Sequence, residues 1–301
     1  MQSILLSLFP LIALILGGYI LKRQQFLHEG FWPGAEKLNY YILFPIMLFS
    51  NLATAKLELK LMNTIIIVVG LITLIVCAVL YLIRYIYKTE PAKFGVYVQS
   101  NVRFNTYMGL AIVAALFDQE GMTIFAIILA LTIPAVNVLS VLALTKQDNM
   151  DFRSVSLALV KNPLILGCLI GALFNVLGIK LWIGIDSFLK QLALCSLPLG
   201  LLCVGAALQF MALKKDIFPL VLNTFSRLIA IPILAICVCY LFKMPSLETQ
   251  IFVLYFALPT ASASYILTKV LDGDSQLMAG IISLQTLCSA ITLPIILAFI
   301  M

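Results

Sequence analysis

The chain has 301 residues, of which 63% are apolar and only 11% are charged, and its formal net charge is +6. Soluble domains carry about 25% charged residues, so a soluble fold of this composition would lack a polar surface. The basic residues are spread along the chain, singly or in pairs, and form no basic stripe, which argues against a nucleic-acid partner. The composition therefore predicts an all-α polytopic protein whose partner is the lipid bilayer.

Ten apolar runs are each long enough to cross a bilayer, which needs roughly 20 residues. They cover residues 3–21, 34–55, 62–85, 94–117, 122–145, 155–177, 190–210, 217–242, 247–270 and 276–300. The first run is followed, not preceded, by the bases Lys22 and Arg23, so it predicts a span and not a signal peptide. The connections are short, and no soluble domain is expected between the spans.

Lysine and arginine residues are distributed unequally between the two sides of the predicted spans. Twelve fall on one side, five fall on the other, and Arg103 and Arg227 lie inside spans. Because cytoplasmic loops carry the excess of basic residues, the side with twelve is expected to be cytoplasmic. An even number of spans then places both termini on the non-cytoplasmic side of the cell's inner membrane.

The two halves of the chain match each other at an offset of 153 residues. The matched positions hold prolines or glycines, which kink helices or let them pack closely: Pro10 and Pro163, Gly18 and Gly171, Pro45 and Pro198. We therefore predict two five-helix repeats, residues 1–150 and 151–301. Because five is an odd number, the repeats must be inserted with opposite orientations, which is a plan of secondary transporters.

Spans four and nine contain polar segments at equivalent places in the two repeats. The middle of span four, residues 99–106, reads QSNVRFNT, whereas span nine has Pro259 followed by Thr260, Ser262 and Ser264. Proline breaks or kinks a helix, and freed backbone at this depth is tolerated only beside a cavity or inside protein. Two such segments predict a substrate site. The alternative is an ordinary proline kink with interhelical hydrogen bonds.

Broken helices also predict the charge of the substrate. The second half of each, starting near residues 105–106 and 260–262, begins with unsatisfied N–H groups and a partial positive charge, which would hold a carboxylate. Arg103 lies beside the first break, and an arginine inside a membrane is costly and by default functional, with a structural tie to backbone carbonyl groups as its alternative role. Arg227 could instead extend its side chain to the surface, and Asn137 has helix packing as its alternative role. The substrate-binding candidates are Asn101, Arg103, Asn105, Thr106, Pro259, Thr260 and Ser262, with Asn137 and Arg227 in addition.

The positions of the acidic residues bear on energy coupling. All thirteen carboxylates lie in loops or at span ends, which disfavours a proton relay through the membrane. Sodium held by carbonyl groups and by the amides of Asn101 and Asn105 remains an alternative. An uncoupled carrier needs only the membrane potential, which supplies about 2.3 kcal/mol per charge per 100 mV and so favours anion export roughly 50-fold. No cofactor or metal site is expected, because the cysteines lie in apolar runs and the single histidine, His28, lies in a loop.

Four segments, in their order and spacing, resemble the auxin efflux carrier family. They are SNVRFNTYMGLAI in span four, LVKNPLILGCLIGALFNVLGI in span six, LPLGLLCVGAAL in span seven and ALPTASASYILTKVLDGD in span nine. The resemblance covers essentially the whole chain and is that of a bacterial member. The family pattern commonly has proline before the asparagine of span four. Here Phe104 takes that place and only Asn105 matches.

The resemblance implies ten helices in a fold similar to that of bile-acid sodium symporters, with helices four and nine broken and crossed. Spans one, two, six and seven would form a scaffold through which the protein dimerises. The other spans would form a transport domain that moves like an elevator.

Together these observations predict a transporter that exports small organic anions, mono- or dicarboxylates, driven by the membrane potential. Auxin itself is not expected to be the physiological substrate of a bacterial member. A sodium-coupled importer of organic anions on the same fold is the first alternative. An intramembrane enzyme is a poorer one, because the chain has no HExxH, no GxSxG and no histidine within a span. A membrane sensor would need a soluble output domain, which the chain does not offer.

Overall fold

A computed structural model of the protein describes residues 2–28, 30–54, 59–144, 163–209 and 217–301. The junction between the two predicted repeats, the start of predicted span six and the last residue of predicted span seven lie outside the described residues. So do six of the bases counted for the orientation: Lys56, Lys146, Arg153, Lys161, Lys214 and Lys215. The described residues form helices joined by short turns, so the protein is all-helical over this part of the chain.

The helices of the first half are α1 (Gln2–Arg23), α2 (Phe31–Leu38), α3 (Phe44–Ala53), α4 (Leu59–Tyr87), α5 (Pro91–Val102), α6 (Thr106–Leu116) and α7 (Gln119–Leu144). Those of the second half are α8 (Pro163–Val176), α9 (Ile183–Ala206), α10 (Ile217–Phe225), α11 (Ile231–Leu241), α12 (Ser246–Ala257), α13 (Ser264–Val270) and α14 (Ser275–Ile300). Wider π-helical turns, Asn39–Leu43 and Ser226–Ala230, join α2 to α3 and α10 to α11. Each predicted span thus coincides with one helix or with two consecutive helices.

Among the described residues, five helical stretches are long and apolar enough to cross a bilayer by themselves. They are Leu61–Tyr87, Gln119–Leu144, Ile183–Ala206, Ile217–Leu241 and Ser275–Ile300. Large apolar side chains such as Leu74, Tyr240 and Phe299 are exposed along them. Exposed apolar surface on this scale fits a hydrocarbon environment and not water. The fold is therefore that of a multi-span membrane protein.

Helix contacts divide the described helices into two groups. In the first group α1 packs along α9, α3 packs along α8, and α3 also contacts α9. In the second group α5 packs against α7, α11 against α12, and both α10 and α12 against α14. The first group contains spans one, two, six and seven, and the second contains the two broken helices.

Glycines, among them Gly18 and Gly171, bring the helices of the first group into backbone contact. A Cβ atom at Gly18 would overlap the carbonyl oxygen of Leu202, and one at Gly171 would lie 2.8 Å from the carbonyl oxygen of Phe49. Small residues allow helices to approach this closely in membranes. Adding the offset of 153 residues to Gly18 and Phe49 gives Gly171 and Leu202. The α1–α9 and α3–α8 contacts therefore occupy equivalent positions in the two halves.

Candidate functional site

Spans four and nine are both interrupted where the sequence predicted a break. Residues 103–105 separate α5 from α6, and residues 258–263 separate α12 from α13. The two interruptions lie against each other, because the backbone N–H of Asn105 donates to the carbonyl group of Pro259 at 2.8 Å. Part of the hydrogen bonding that each helix loses at its break is therefore replaced by the other helix. Such replacement is needed because a backbone polar group left without a partner is costly inside a membrane.

Helix four breaks without a proline because Asn105 caps the helix that follows. The Asn105 Oδ1 atom accepts a hydrogen bond from the Met108 backbone N–H at 3.1 Å, which is the usual action of an N-cap asparagine. Phe104 is buried, and its ring packs on that of Tyr255 with 4.5 Å between the centroids. A capping side chain and a buried aromatic ring therefore stabilise this interruption in place of the proline.

A cavity of about 580 Å³ lies beside both interruptions. Its volume falls within the range of about 300–1,000 Å³ that is usual for small-molecule sites. Five of the predicted site residues line this cavity, and they come from span four, span five and span nine: Arg103, Asn105, Thr106, Asn137 and Ser262. The structure therefore brings together predicted residues from both halves of the chain.

The start of α6 and the Arg103 side chain give one end of the cavity a positive potential. The backbone N–H groups of Thr106 and Tyr107 have no hydrogen-bond partner among the described residues, and both residues line the cavity. These are the donors that carry the positive end of a helix dipole. Arg103 is half-buried and donates from Nη1 to Gln99 Oε1 at 3.3 Å. Within the described part of the chain no carboxylate forms an ion pair with it.

Replacing Asn105 separates its capping role from the charge of the cavity. In Asn105→Ala the cap of α6 is lost, and we expect a destabilisation of about 0.5–2 kcal/mol, seen as a lower melting temperature. Asn105→Asp retains an oxygen that can accept from Met108 N–H, so we expect it to melt near the wild-type temperature. Its negative charge should nevertheless weaken binding of any anion in the cavity. Equal melting temperatures for Asn105→Ala and wild type would contradict the capping role.

The second interruption is longer than the first, and its half-helix starts later than expected. The helix begins at Ser264 and not near Thr260, and its first turn is closed by the Ser264 N–H, which donates to the carbonyl group of Ala261 at 3.1 Å. Thr260 N–H donates instead to Gln285 Oε1 at 2.8 Å. Span nine therefore contributes irregular backbone and the side chain of Ser262 to the cavity, whereas α6 contributes a helix N-terminus.

Four predicted site residues, Asn101, Arg227, Pro259 and Thr260, do not line the cavity and lie behind it. Arg227 is only 1% exposed, so the expectation that its side chain reaches the surface is wrong. Its Nε donates to the carbonyl group of Leu258 at 2.8 Å and its Nη1 to that of Asn101 at 2.7 Å. These carbonyl groups are freed by the two helix breaks, and their hydrogen bonds hold the guanidinium inside the protein.

Two buried glutamines, which are not among the predicted site residues, connect the site to its surroundings. Gln99 Nε2 donates to Thr268 Oγ1 at 2.7 Å, and Gln285 Nε2 donates to Asn223 Oδ1 at 2.9 Å. Gln99 thus ties Arg103 to span nine, and Gln285 ties the second interruption to span eight. The signal was an amide side chain inside an apolar span, which is costly unless it is hydrogen-bonded.

A second cavity, of about 790 Å³, adjoins the first. Both cavities are lined by Pro33, Glu36, Ser262 and Ile266, so these residues lie between them. The second cavity is also lined by the bases Lys22 and Arg23 at the end of α1. Open space thus extends from the broken helices to the bases at the end of α1.

A bundle of apolar helices, in which two interrupted spans meet beside a cavity, is typical of a multi-span membrane transporter and not of an enzyme. The chain belongs to the family described as membrane transport protein, the auxin efflux carrier family, which matches residues 3–152 and again residues 140–297. The two matches divide the chain into halves, in agreement with a repeat.

Two archaeal proteins are similar along almost their whole length. An uncharacterized transporter of Methanothermobacter thermautotrophicus is 24% identical over 294 residues, which is 96% of each chain. An uncharacterized transporter of Methanocaldococcus jannaschii is 22% identical over 295 residues, which is 94% of each chain. The resemblance inferred from the four segments is therefore confirmed.

Proposed function

We propose that this transporter moves small organic anions, mono- or dicarboxylates, and that it exports them from the cell. The observation that carries the proposal is the meeting of Arg103 with the free N–H groups at the start of α6 in one cavity. Discontinuous helices in transporters point their N-terminal ends at anionic groups of the substrate. A substrate carboxylate at this place would pair with Arg103, which forms no ion pair with any described carboxylate, including Glu36 of the cavity wall.

The remainder of the cavity wall supports a substrate with a hydrocarbon part. Tyr40, Phe44, Tyr107, Ile133 and Val136 all line it. Such a mixture of apolar walls and a few converging polar groups is the usual composition of a small-molecule site. The charged end of the substrate would fix its orientation in the cavity. The apolar wall would add affinity but would discriminate little between similar carbon skeletons.

Alternating access follows from the two groups of helices. We infer that the residues 1–150 and 151–301 form inverted repeats, and that α1, α3, α8 and α9 form a scaffold that pairs with that of a second copy. The broken helices then move with the other group past this scaffold, as in an elevator. Support comes from the equivalent Gly18–Leu202 and Gly171–Phe49 contacts, and from the closest helix packing, which occurs within each group and not between the two.

The direction of transport is proposed from charge. Lys22 and Arg23 line the second cavity and Lys37 lines the first, and all three belong to the twelve bases assigned to the cytoplasmic side. Bases at a cavity mouth raise the local concentration of anions. An interior-negative membrane then drives a bound monovalent anion outward, with about 2.3 kcal/mol per 100 mV.

A thermal-shift screen of the purified protein tests the substrate class. Each carboxylic acid is compared with its own uncharged amide, which has nearly the same shape. We expect acids to raise the melting temperature, because a ligand that binds only the folded state stabilises it, and amides to have little effect. Stabilisation by amides or by organic cations, with none from any acid, would contradict the proposal. In a transport assay, uptake of one of these acids that requires a sodium gradient would favour the sodium-coupled importer.

Reporter fusions at Met301 test the proposed topology. We expect alkaline phosphatase fused there to be active and a reporter that needs the cytoplasm to be inactive, because both termini are assigned to the non-cytoplasmic side. Fusions after Arg23, at the end of α1, provide the matched control and should behave in the opposite way. Cytoplasmic activity of the fusions at both positions would require an odd number of spans and would contradict the inverted repeats.

A further inference from the structure

Arg227 is the largest of the fully buried side chains in the described part of the chain, and it joins the two broken helices. One of its acceptors is the carbonyl group of Leu258, the residue that follows α12, and the other is the carbonyl group of Asn101 in the last turn of α5. Both acceptors therefore lie at the C-terminal ends of half-helices. The substrate cavity lies beside the N-terminal end of α6, so the guanidinium and the proposed anion occupy opposite kinds of helix end.

The C-terminal end of a helix carries unsatisfied carbonyl groups and a partial negative charge. In transporters with discontinuous helices, these ends and the unwound carbonyl groups coordinate the coupling cation. Here a protein side chain supplies the cation. Among the described residues no carboxylate forms an ion pair with Arg227, and its Nη2 atom has no hydrogen-bond partner. Its charge is therefore balanced mainly by helix-end carbonyl groups.

The neighbouring residue removes another ligand that a sodium ion would need. Ser226 Oγ donates to Asn101 Oδ1 at 2.9 Å, so the amide oxygen of Asn101 is also engaged. Ser226 and Arg227 both belong to the π-helical turn Ser226–Ala230, where span eight is locally widened. Such turns are frequently found at functional sites. One turn of span eight thus binds the side chain and the backbone of Asn101 together.

We propose that Arg227 is a tethered cation that takes the place of a coupling sodium ion between the broken helices. It is a positioning residue, because it holds the ends of α5 and α12 together and does not line the cavity. This inference rests on the proposed function in one respect, since it makes the proposed anion carrier independent of sodium. Sodium is then neither bound at the helix crossing nor required to assemble the anion site.

The test measures melting temperatures without any anionic substrate, so its outcome does not depend on the proposed substrate class. Wild type, Arg227→Ala, Arg227→Lys and Arg84→Ala are compared in sodium chloride and in choline chloride at equal ionic strength. Arg84 is the matched control, because its guanidinium stacks over the Phe94 ring at 4.5 Å and lies outside both cavities. We expect wild type and Arg84→Ala to melt at the same temperature in both salts.

Arg227→Ala should melt several degrees lower than wild type and should recover part of the loss with methylguanidinium or with sodium, but not with choline. Arg227→Lys keeps a cation on the chain, so it should remain insensitive to sodium even if Arg227→Ala does not fold. A sodium-specific rise in the melting temperature of wild type would overturn the inference, because a free cation site would then exist. An Arg227→Ala variant that melts like wild type, or is rescued by neither cation, would overturn it as well.

Discussion

Arg103→Ala should weaken binding of the carboxylate found in the thermal-shift screen by roughly 10- to 100-fold, because a hydrogen bond to a charged group contributes about 1.5–3 kcal/mol. The fold should survive the change. Arg103 is half-buried at the cavity wall, and its recorded hydrogen bond is a long one to the neutral side chain of Gln99. Removing it therefore leaves no buried charge behind. Equilibrium binding of the carboxylate, with the melting temperature as a check on folding, measures the effect.

Two further variants separate a direct contact from a general effect of charge. Arg103→Lys keeps the charge but replaces a planar fork of donors with a single ammonium group, so its affinity should fall between those of wild type and Arg103→Ala. Arg84→Ala removes the same charge outside the cavity and should bind normally. Normal binding by Arg103→Ala would show that the start of α6 holds the anion alone, and Arg103 would not belong to the site.

Gly18→Ala should destabilise the protein by about 1–3 kcal/mol, the usual cost of forcing extra volume into a packed interior. The added methyl group would overlap the carbonyl oxygen of Leu202. A backbone carbonyl cannot relieve the overlap by changing rotamer, as a side chain can. Helices α1 and α9 would have to separate along the contact that joins them. The melting temperature of the purified protein and its size-exclusion profile measure the loss.

Gly17→Ala is the matched control, because it adds the same group at the adjacent position of the same helix. Its methyl group would lie 3.7 Å from Leu202 Cδ2, an ordinary contact, so the variant should melt near the wild-type temperature. Gly171→Ala should resemble Gly18→Ala, since its methyl group would lie 2.8 Å from the carbonyl oxygen of Phe49. Similar melting temperatures for Gly17→Ala and Gly18→Ala would contradict the role assigned to this contact.

Local chemistry explains why the interruptions were predictable from sequence. Pro259 lacks a backbone donor, and Asn105 has a side chain that caps a helix, so each acts on the residues beside it whatever the rest of the fold does. The exact start of the second half-helix could not be predicted from the neighbouring residues. Ser264 begins it because the Thr260 N–H finds an acceptor in Gln285, which is 25 residues away along the chain.

The sequence alone therefore determined the class of protein, the ten apolar runs, the repeat offset and the places where two helices break. These depend on composition and on interactions between near neighbours, which a bilayer makes unusually strict. Only the tertiary structure decided which side chains meet. Asn101 and Asn105 lie on either side of one break, yet Asn105 lines the cavity and Asn101 lies behind it. Arg227 has a side chain long enough to reach either the surface or the interior. It is buried because the carbonyl groups of Leu258 and Asn101, freed by breaks that lie elsewhere in the sequence, accept its hydrogen bonds.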